Sequence, residues 1–479
     1  MLVRRFYDDR LAQASYLIGC QATGEAIVID PARDIAPYLE AARAEGVRIT
    51  QVTETHIHAD FLSGTRELAA ATGARTLLSG EGGPDWQYAF AVADHAALLR
   101  NGDTIAVGNI RLDVMHTPGH TPEHLAFIVV DAPRGPEPVA MVSGDFLFVG
   151  DVGRPDLLET AAGVSGTKEG SARALFHSLQ RLASLPDYLQ VWPGHGAGSA
   201  CGKALGALPS STLGYERRTN WAFQIGDEES FVAAVLEGQP APPRYFATMK
   251  RVNRDGPPVL GTGAPVTELG PDALDRALRD GTVIDLRPLA EYAAGHIVGT
   301  LNIPLIKAFT KWAGWLLAYD RDLYLVAPDA AATLEGRRAL QSIGLDRIRG
   351  VFGPATLAAV RASGKMGTIK RMPIDQSPAL QAAGTVIIDV READEWDAGH
   401  FEGALHRPLG NLPQSLAAMD RATPVALHCQ GGTRSAIGAS LLEQMGFGDV
   451  TDLTGGWRGW AEQIEKEKMR ESEKERKRQ

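Results

Sequence analysis

The stretch THIHADF, residues 55–61, decides how the first half of this chain is interpreted. Residues 51–54 before it are typical of a strand end, so THIHADF itself is predicted to be a short loop. His56, His58 and Asp60 alternate along this loop, and alternate side chains can converge on one point. Imidazole nitrogens and carboxylate oxygens are good ligands for iron, zinc and manganese. The stretch therefore predicts part of a metal site.

Three later segments carry the same residue types beside glycine turns. Residues 115–124, MHTPGHTPEH, contain His116, His120 and His124, while VSGD ends at Asp145 and WPGH ends at His195. One such histidine alone is usually a structural side chain, but half of the 12 histidines fall in these loops. Metal sites are built where separate loops converge, so we predict that these loops meet.

Short apolar runs surround the loops. Residues 26–29 and 125–130 are continuous apolar stretches bounded by turn-forming residues, a pattern that predicts buried β-strands. Proline-rich stretches at residues 239–243 and 256–258 favour a domain boundary. We therefore assign residues 1–258 to one predicted domain.

In chain order, the motifs HxHxD, TPGHT, SGD and PGH resemble the signature of the metallo-β-lactamase superfamily. The resemblance implies an αββα sandwich with the metal at one edge. The common two-metal form of the superfamily has HxHxDH, in which the last histidine helps to hold the second ion. This chain has Phe61 at that position, and an apolar ring has no lone pair to donate. We therefore expect the second metal site to be lost or badly weakened.

Residues 1–255 are similar to the mono-iron persulfide dioxygenases of that superfamily. The resemblance implies one non-haem Fe(II) per chain, with zinc as a substitute in purified material. Two imidazoles and one carboxylate on one face of an octahedron leave room for substrate and O2 side by side. The implied ligands are His56, His120 and Asp145, and the residues implied to orient ligands or water are His58, Asp60 and His195.

The loop GDVGRPDL also resembles that branch, where it contacts the thiol that carries the persulfide. Arg154 and Asp156 are therefore expected to bind the carrier, because a guanidinium holds a carboxylate through two parallel hydrogen bonds. A surface pair between these two residues is the alternative. Cys201, six positions after His195, is either an accessory thiol that receives sulfur or a small buried side chain.

The rest of the chain contains an internal repeat. VIDLRPLAEYAAGHIVGTLNIPL begins at Val283 and IIDVREADEWDAGHFEGALHRPL begins at Ile387, so the two copies lie 104 residues apart. In each copy an apolar strand leads to a helix and another strand, which is typical of a parallel α/β sheet. We predict two domains of one kind, residues 259–365 and 366–468, and a solvated charged tail over residues 469–479.

Cys429 ends an apolar strand in PVALHCQGGTRSAIGASLL, residues 424–442. The following loop and helix start present backbone N–H groups and the positive end of a helix dipole to its sulfur, which stabilises a thiolate. The segment resembles the active-site loop of a rhodanese domain. The resemblance implies that Cys429 carries sulfane sulfur and that Arg434 holds an anionic substrate. The other substrate-binding residues would be Gln430, Gly431, Gly432 and Thr433.

The first copy departs from this pattern. An offset of 102 residues puts Ala327 opposite the cysteine and Ala332 opposite the arginine. Without a thiol or a guanidinium, this copy is predicted to be an inactive rhodanese-like domain. His296 and His400 occur in both copies, so we expect them to be structural.

Composition argues against several classes of protein. The formal net charge is −10 with no basic stripe, which argues against a nucleic-acid partner. Three cysteines suggest no disulfide framework, and the N-terminus lacks the apolar core of a signal peptide. No apolar stretch reaches the roughly 18 residues of a membrane span. We expect a soluble cytoplasmic protein that makes no membrane contact and could form a homo-oligomer.

The sequence thus predicts an α/β multidomain enzyme, a metallo-β-lactamase sandwich followed by two rhodanese-type parallel-sheet domains. Its expected function is O2-dependent oxidation of a low-molecular-weight persulfide to sulfite, coupled to rhodanese transfer that uses or makes thiosulfate. The carrier thiol would be glutathione-, cysteine- or coenzyme A-like, and the role would be sulfide detoxification. A glyoxalase II-like thioester hydrolase and a non-oxidative sulfur-relay protein are the alternatives.

Overall fold

The computed structural model describes residues 1–160, 166–239, 241–261, 263 and 265–476. These residues form two units. One unit comprises Met1–Ala264 together with Arg338–Leu345, and the other comprises Pro265–Arg337 together with Asp346–Gln479. The last three residues of the predicted charged tail lie outside the described residues. Within the described ranges, no helix combines the length and the apolar character needed to cross a bilayer.

Two six-stranded sheets form the centre of the first unit. The first sheet runs in chain order through β1 (Leu2–Asp8), β2 (Gln13–Cys20), β3 (Glu25–Ile29), β4 (Arg48–Thr53), β5 (Arg75–Ser79) and β6 (Ala97–Leu99). The second sheet runs likewise through β7 (Thr104–Val107), β8 (Ile110–His116), β9 (Leu125–Asp131), β10 (Pro138–Gly144), β11 (Gln190–Pro193) and β12 (Ser211–Thr212). Strands β3 to β6 are parallel, as are β10 and β11, and the other pairs are antiparallel.

Helices cover the outer face of each sheet. They are α1 (Ala36–Ala44), α2 (Thr65–Thr72), α3 (Leu157–Thr160), α4 (Lys168–Gln180), α5 (Leu213–Thr219), α6 (Trp221–Gln224), α7 (Glu228–Leu236) and α8 (Tyr245–Asp255), with 3₁₀ turns at Pro84–Trp86 and Arg181–Ser184. Tyr38 of α1 and Leu68 of α2 pack on the first sheet. Leu175 of α4 and Phe231 of α7 pack on the second sheet.

The core between the sheets explains the residue patterns of the strands. Ile18 and Ile27 of the first sheet share one buried cluster with Phe127 and Val129 of the second. Every residue of β9 is buried, because one face of the strand meets the first sheet and the other meets α4. Strand β7 alternates between exposed and buried residues, as expected when one face is covered. The layers are helix, sheet, sheet and helix, which confirms the predicted αββα sandwich.

The remaining strands and helices belong to the two sequence repeats. The first repeat contains β13 (Gly281–Asp285), β14 (His296–Ile297), β15 (Leu301–Asn302), β16 (Asp322–Val326), β17 (Ile348–Phe352) and β18 (Met366–Gly367), with α9 (Leu274–Asp280), α10 (Leu289–Ala294), α11 (Phe309–Leu316), α12 (Ala330–Gln341) and α13 (Pro354–Ala362). The second repeat contains β19 (Lys370–Pro373), β20 (Val386–Asp389), β21 (Leu405–His406), β22 (Val425–His428) and β23 (Val450–Thr454), with α14 (Ser377–Ala382), α15 (Ala393–Asp397), α16 (Leu412–Ser415), α17 (Thr433–Gln444) and α18 (Gly456–Arg476). Short 3₁₀ turns lie at Pro271–Ala273, Ile374–Gln376 and Leu409–Asn411.

The two repeats share one parallel-sheet topology. The strand order is β15-β13-β16-β17 in the first repeat and β21-β20-β22-β23-β19 in the second. The fifth strand is reduced in the first repeat to a parallel bridge between Glu268 and Val351. Asp285 and Asp389 each accept a bidentate pair of hydrogen bonds from the buried arginine two residues later. This ion pair fixes the turn after the first sheet strand, so the recurring DxR motif has a structural role.

Candidate functional site

The histidine and aspartate motifs converge at one edge of the two central sheets. His56 follows the end of β4, and His120 lies in the loop between β8 and β9. Asp145 immediately follows β10, and His195 follows β11. The four loops therefore meet, as the sequence predicts.

Three buried side chains form a group that could hold one metal ion. One ligand atom from each of His56, His120 and Asp145 lies within 4.8 Å of the others. Asp145 Oδ2 is 3.5 Å from His120 Nε2 and 3.9 Å from His56 Nε2. Within the described part of the chain, this buried oxygen has no hydrogen-bond partner. An orphaned carboxylate oxygen facing two imidazoles fits a cation at this point.

Hydrogen bonds to the other ring nitrogens leave both Nε2 atoms available. Thr55 Oγ1 donates to Asp30 Oδ2 at 2.9 Å, so it accepts from His56 Nδ1, also at 2.9 Å. His120 Nδ1 donates to the Arg154 carbonyl at 3.1 Å. In each ring the proton therefore sits on Nδ1, and the Nε2 lone pair faces Asp145. Such outer partners fix the tautomer of metal-binding histidines.

The charge states of the group also suit metal binding. Burial and the neighbouring His58 hold the pKa of His56 well below its usual range. Burial likewise lowers the pKa of His120. Burial opposes ionisation of Asp145, but His195 outweighs it and holds the pKa of this carboxyl well below its usual range. Two neutral imidazoles thus face one carboxylate.

His124 has a positioning role that the sequence analysis missed. Its Nδ1 donates to Thr117 Oγ1 at 2.8 Å, so its Nε2 accepts from the Asp145 amide at 3.1 Å. With both nitrogens used, His124 holds the backbone of Asp145 in place. His116 lies apart from the group, because its Nε2 bonds the Pro122 carbonyl at 2.7 Å.

His195 links two carboxylates. Its Nδ1 donates to Asp145 Oδ1 at 2.7 Å and its Nε2 donates to Asp60 Oδ2 at 2.8 Å. Burial opposes charge on the ring, but the two carboxylates outweigh it and raise the pKa of His195 well above its usual range. Cys201 lies beside this pair, and one ligand atom each from Asp60, His195 and Cys201 lies within 4.8 Å of the others. The structure thus brings Cys201, which is buried, next to the predicted orienting residues.

The remaining residues of the THIHADF loop support its shape. His58 Nε2 donates to Asp30 Oδ1 at 3.0 Å, and Phe61 packs on the His58 ring at 4.4 Å. Burial disfavours charge on His58, but Asp30 overcomes this and raises its pKa to about 9. Asp30 therefore orients His58 directly and His56 through Thr55.

An asparagine outside the motifs also holds this loop. Asn253 of α8 accepts a hydrogen bond from the Ser63 amide at 3.0 Å. It donates to the carbonyls of His58 and Phe61 at 2.8 and 2.7 Å. A single asparagine some 190 residues from the loop gives no sequence signal, so this contact was not predicted.

Arg154 and Asp156 form a buried pair. The Arg154 side chain has no exposed surface, and its Nε and Nη2 donate to the two carboxylate oxygens of Asp156 at 2.8 and 2.7 Å. Its Nη1 donates to the Ala200 carbonyl at 3.1 Å. Arg154 was predicted to bind a carrier carboxylate through two hydrogen bonds, and here it makes such a bidentate contact with Asp156. The Arg154 carbonyl accepts from His120 Nδ1, so the backbone of this residue also supports the candidate metal group.

The second candidate site surrounds Cys429, the first residue after β22. The sulfur accepts a hydrogen bond from the Gly432 amide at 3.0 Å, and Ser435 Oγ lies 3.8 Å from it. Gly432 has a φ of +104°, a conformation that favours glycine and lets this amide turn toward the sulfur. Thr433 begins α17. The strand, loop and helix therefore form the predicted cradle for a sulfur atom.

Arg434 is engaged in an ion pair. Its Nη2 donates to Glu395 Oε1 at 2.7 Å, and its Nη1 donates to the other oxygen of the same carboxylate. An anionic substrate would therefore have to compete with Glu395, which the sequence analysis did not foresee. Gln430 is turned toward Arg391, whose Nη1 lies 3.4 Å from its Oε1.

The corresponding place in the first repeat has no thiol. Ala327 is the first residue after β16, as Cys429 is after β22. It lines a cavity of about 260 Å³ with Asp329, Thr333 and Arg337 of the following segment. Asp329 Oδ1 accepts a hydrogen bond from the Ala332 amide at the start of α12. The segment between β16 and α12 contains no glycine, unlike the loop after Cys429.

Family models match two parts of the chain. Residues 8–195 match the metallo-β-lactamase superfamily. Residues 375–463 match the rhodanese-like domain.

Two known hydrolases resemble part of this chain. The hydroxyacylglutathione hydrolase of Polaromonas sp. (strain JS666) is 34% identical over 198 residues, which are 41% of this chain and 66% of that protein. The chain thus spans slightly less than two thirds of that relative. The hydroxyacylglutathione hydrolase of Cereibacter sphaeroides (strain ATCC 17029) is 30% identical, with 49% of this chain and 78% of that protein covered.

A solved structure covers more of the chain. The crystal structure of a metallo-β-lactamase from Staphylococcus aureus subsp. aureus COL is 44% identical. The similarity covers 74% of this chain and 99% of that one, with a TM-score of 0.65. The chain belongs to the metallo-β-lactamase superfamily, and a rhodanese-like domain follows its metallo-β-lactamase domain.

Proposed function

We propose that this chain is a persulfide dioxygenase whose rhodanese-like domain transfers sulfur. The observation that carries the proposal is the group of His56, His120 and Asp145, which brings two imidazole nitrogens and one carboxylate oxygen together. Two histidines and one carboxylate with open positions are typical of non-haem Fe(II) oxygenases. Phe61 supports this assignment, because it replaces the histidine that the two-metal pattern of the superfamily uses.

The residues of this group would hold the iron, and their hydrogen-bond partners orient them. Ferrous iron at the group would supply the redox chemistry that O2 activation requires. His56 and His120 are kept neutral by burial and oriented by Thr55 and the Arg154 carbonyl. Overall, a persulfide, O2 and water would give the carrier thiol, sulfite and two protons. The outer sulfur is oxidised, O2 is reduced, and the bond between the two sulfurs breaks.

The rhodanese half would exchange sulfur with the products of the first half. Cys429 would attack the outer sulfur of thiosulfate or of a persulfide, breaking that S–S bond and releasing sulfite or the carrier thiol. The transferred sulfur would stay on Cys429 as a persulfide, and the Gly432 amide donates to the Cys429 sulfur. The domain would either pass sulfur from thiosulfate toward a carrier thiol or join it to sulfite and make thiosulfate. We propose glutathione-, cysteine- or coenzyme A-like carriers, a cytoplasmic location and no nucleic-acid or membrane partner.

Oxygen uptake tests the proposal. The iron-loaded chain should consume O2 when an excess of glutathione persulfide, prepared anaerobically, is added. His120→Ala should reduce uptake at least ~100-fold, because losing a residue that only orients a metal ligand typically costs about 10- to 100-fold and here a ligand itself is removed. His116→Ala is the matched control, since this histidine ends β8 just before the same loop and bonds the Pro122 carbonyl. Equal uptake by both variants would refute the assigned ligands.

A thioester hydrolase is the second candidate, favoured by the relatives named hydroxyacylglutathione hydrolase. An assay of the zinc-loaded protein with a hydroxyacylglutathione thioester distinguishes the two functions. If the zinc-loaded protein hydrolyses the thioester and the iron-loaded protein takes up no O2, thioester hydrolysis replaces persulfide oxidation as the proposed function. Neither activity, with sulfur transfer intact, would favour a non-oxidative relay.

A further inference from the structure

We infer that Glu395 is a specificity-determining residue of the rhodanese-like domain, which disfavours doubly charged sulfur donors by occupying Arg434. Both terminal nitrogens of the Arg434 guanidinium donate to the two carboxylate oxygens of Glu395. The pair of N–H groups that would hold an anion is therefore already used within the domain. The inference rests on the proposed sulfur transfer and names the class of donor that the site favours, one whose reacting end carries at most one negative charge.

Glu395 is held beside Arg434 by further contacts. It lies in α15, where its Oε2 accepts from the Glu392 amide at 3.2 Å. Its carbonyl accepts from Arg391 Nη1 at 3.0 Å. Burial opposes ionisation of Glu395, but Arg434 outweighs it and lowers the pKa of this carboxyl. An incoming anion therefore meets a charged carboxylate whose backbone and side chain are both fixed.

The other arginine beside the Cys429 loop is balanced in the same way. Arg391 is buried, and its Nε and Nη2 donate to the Asp389 carboxylate. Two guanidinium groups thus face two carboxylates, and ionisation of Cys429 adds one negative charge that neither pair offsets. Arg458, whose amide donates to the Gln430 carbonyl, has an exposed side chain, so solvent screens its charge.

The charge of a sulfur donor decides how strongly Glu395 opposes it. Thiosulfate and methanethiosulfonate both present an outer sulfur bonded to an oxidised sulfur, but thiosulfate carries two negative charges and methanethiosulfonate carries one. Coulomb energy is proportional to the charge of the donor, so the same carboxylate repels thiosulfate about twice as strongly. Replacing Glu395 by a neutral amide should therefore favour thiosulfate more than methanethiosulfonate.

Steady-state sulfur transfer to cyanide with the two donors tests the inference. Cys429 takes the outer sulfur as a persulfide and releases sulfite or methanesulfinate, and cyanide then removes that sulfur as thiocyanate and restores the thiolate. We expect Glu395→Gln in the full-length chain to raise kcat/KM about tenfold with thiosulfate and about threefold with methanethiosulfonate, because halving the donor charge takes the square root of the gain. An equal change with both donors, or no change, overturns the inference.

Two further variants separate charge from structure. Asp394→Asn removes an exposed carboxylate from the same helix, so kcat/KM with both donors should stay at the wild-type value. Glu395→Asp keeps a negative charge near Arg434, so the ratio of kcat/KM between the two donors should stay within about twofold of wild type. If this ratio shifts as far in Glu395→Asp as in Glu395→Gln, packing and not charge sets it, and the inference is overturned.

Equilibrium binding decides the inference without turnover. Cys429→Ser protein, which cannot take up sulfur, is titrated with thiosulfate at constant ionic strength while the fluorescence of its tryptophans is recorded, because Trp396 is adjacent to Glu395 in α15. Adding Glu395→Gln should tighten thiosulfate binding about tenfold. If this tightening occurs but no form of the chain transfers sulfur, the rhodanese part of the proposed function fails and selection by Glu395 stands. If sulfur transfer occurs but thiosulfate binding is unchanged, selection by Glu395 alone fails.

Discussion

At the scale of single residues, metal binding by His56, His120 and Asp145 depends on which ring nitrogen of each histidine carries the proton. His56 and His124 are both buried histidines, and each has one nitrogen bonded to a threonine hydroxyl. The other nitrogen of His124 accepts from the Asp145 amide, whereas that of His56 faces the Asp145 carboxylate. Two similar motif histidines thus have different roles, because one partner is a donor and the other an acceptor.

Glu123 gives the residue scale a measurable pH effect. The side chain is fully buried, and its Oε1 accepts from the Ile57 amide at 2.8 Å. Burial raises the pKa of this carboxyl to about 7. The folded state therefore favours the neutral form. Its contribution to stability is fully present below the ordinary glutamate pKa and is lost as the pH rises through about 7.

We expect Glu123→Gln to remove this loss, because the amide stays neutral and can still accept from Ile57. Relative to wild type, the variant should gain roughly 2.5 kcal/mol in free energy of unfolding between about pH 5 and pH 8. Urea unfolding of the metal-free proteins at both pH values measures the gain, and the constant effect of the amide cancels. A wild-type-to-variant difference that is the same at both pH values would contradict the prediction.

The motif residues could be predicted because their spacing is local, but their partners could not. His56 and His120 are set by short patterns around them, and glycine recurs where loops are tight. Gly144 has a φ of +52°, and a Cβ there would lie 2.6 Å from Thr55 Oγ1. Asp30 lies in a strand-end sequence that resembles many others, so its bonds to Thr55 and His58 emerge only when β3 and β4 pair.

At the scale of elements, helix α8 supports the loop of residues 58–63. Asn253 of α8 makes three hydrogen bonds to the loop of residues 58–63. Removing its amide would leave one buried N–H and two buried carbonyls without this partner. Each such loss costs about 1 to 3 kcal/mol when no water replaces it.

We therefore expect Asn253→Ala to lower the free energy of unfolding of the metal-free protein by about 3 kcal/mol and to weaken iron binding about tenfold. Urea unfolding and an iron-binding titration check both effects. Arg251→Ala, an exposed change on the same helix, serves as the control and should stay within about 0.5 kcal/mol of wild type. A loss of stability with unchanged iron affinity would show that α8 supports the fold but not the site.

Elements were predictable where the periodicity reflects burial. Strand β9 is a continuous apolar run up to Val130 because both faces are covered, and Val386–Ile388 of β20 follow the same rule. The ends of elements depend on long-range packing instead. The repeat pattern assigns Arg338–Leu345 to the first repeat, whereas the structure places this segment in the first unit. There the Ser342 carbonyl accepts from the Leu62 amide at 2.8 Å, a contact that no local pattern encodes.

At the scale of the whole molecule, the two candidate sites lie in different units. His56, His120 and Asp145 belong to one unit, and Cys429 belongs to the other. The repeats share a strand order but differ at the residue that defines the second candidate site. Both repeats keep the buried Asp–Arg pair and the parallel strand order, but only the second keeps a thiol after its central strand. This strand order therefore does not require a cysteine after the central strand.

This separation leads to the last prediction. Cys429→Ser should abolish transfer of sulfur from thiosulfate to cyanide, because the serine hydroxyl cannot hold sulfane sulfur. Oxygen uptake with added glutathione persulfide should stay within about twofold of wild type, since the substituted side chain is nearly isosteric and lies in the other unit. His120→Ala should give the reciprocal result. If Cys429→Ser stops both activities with an added persulfide while the protein remains folded, oxidation itself must require the rhodanese thiol, and the two sites must act as one.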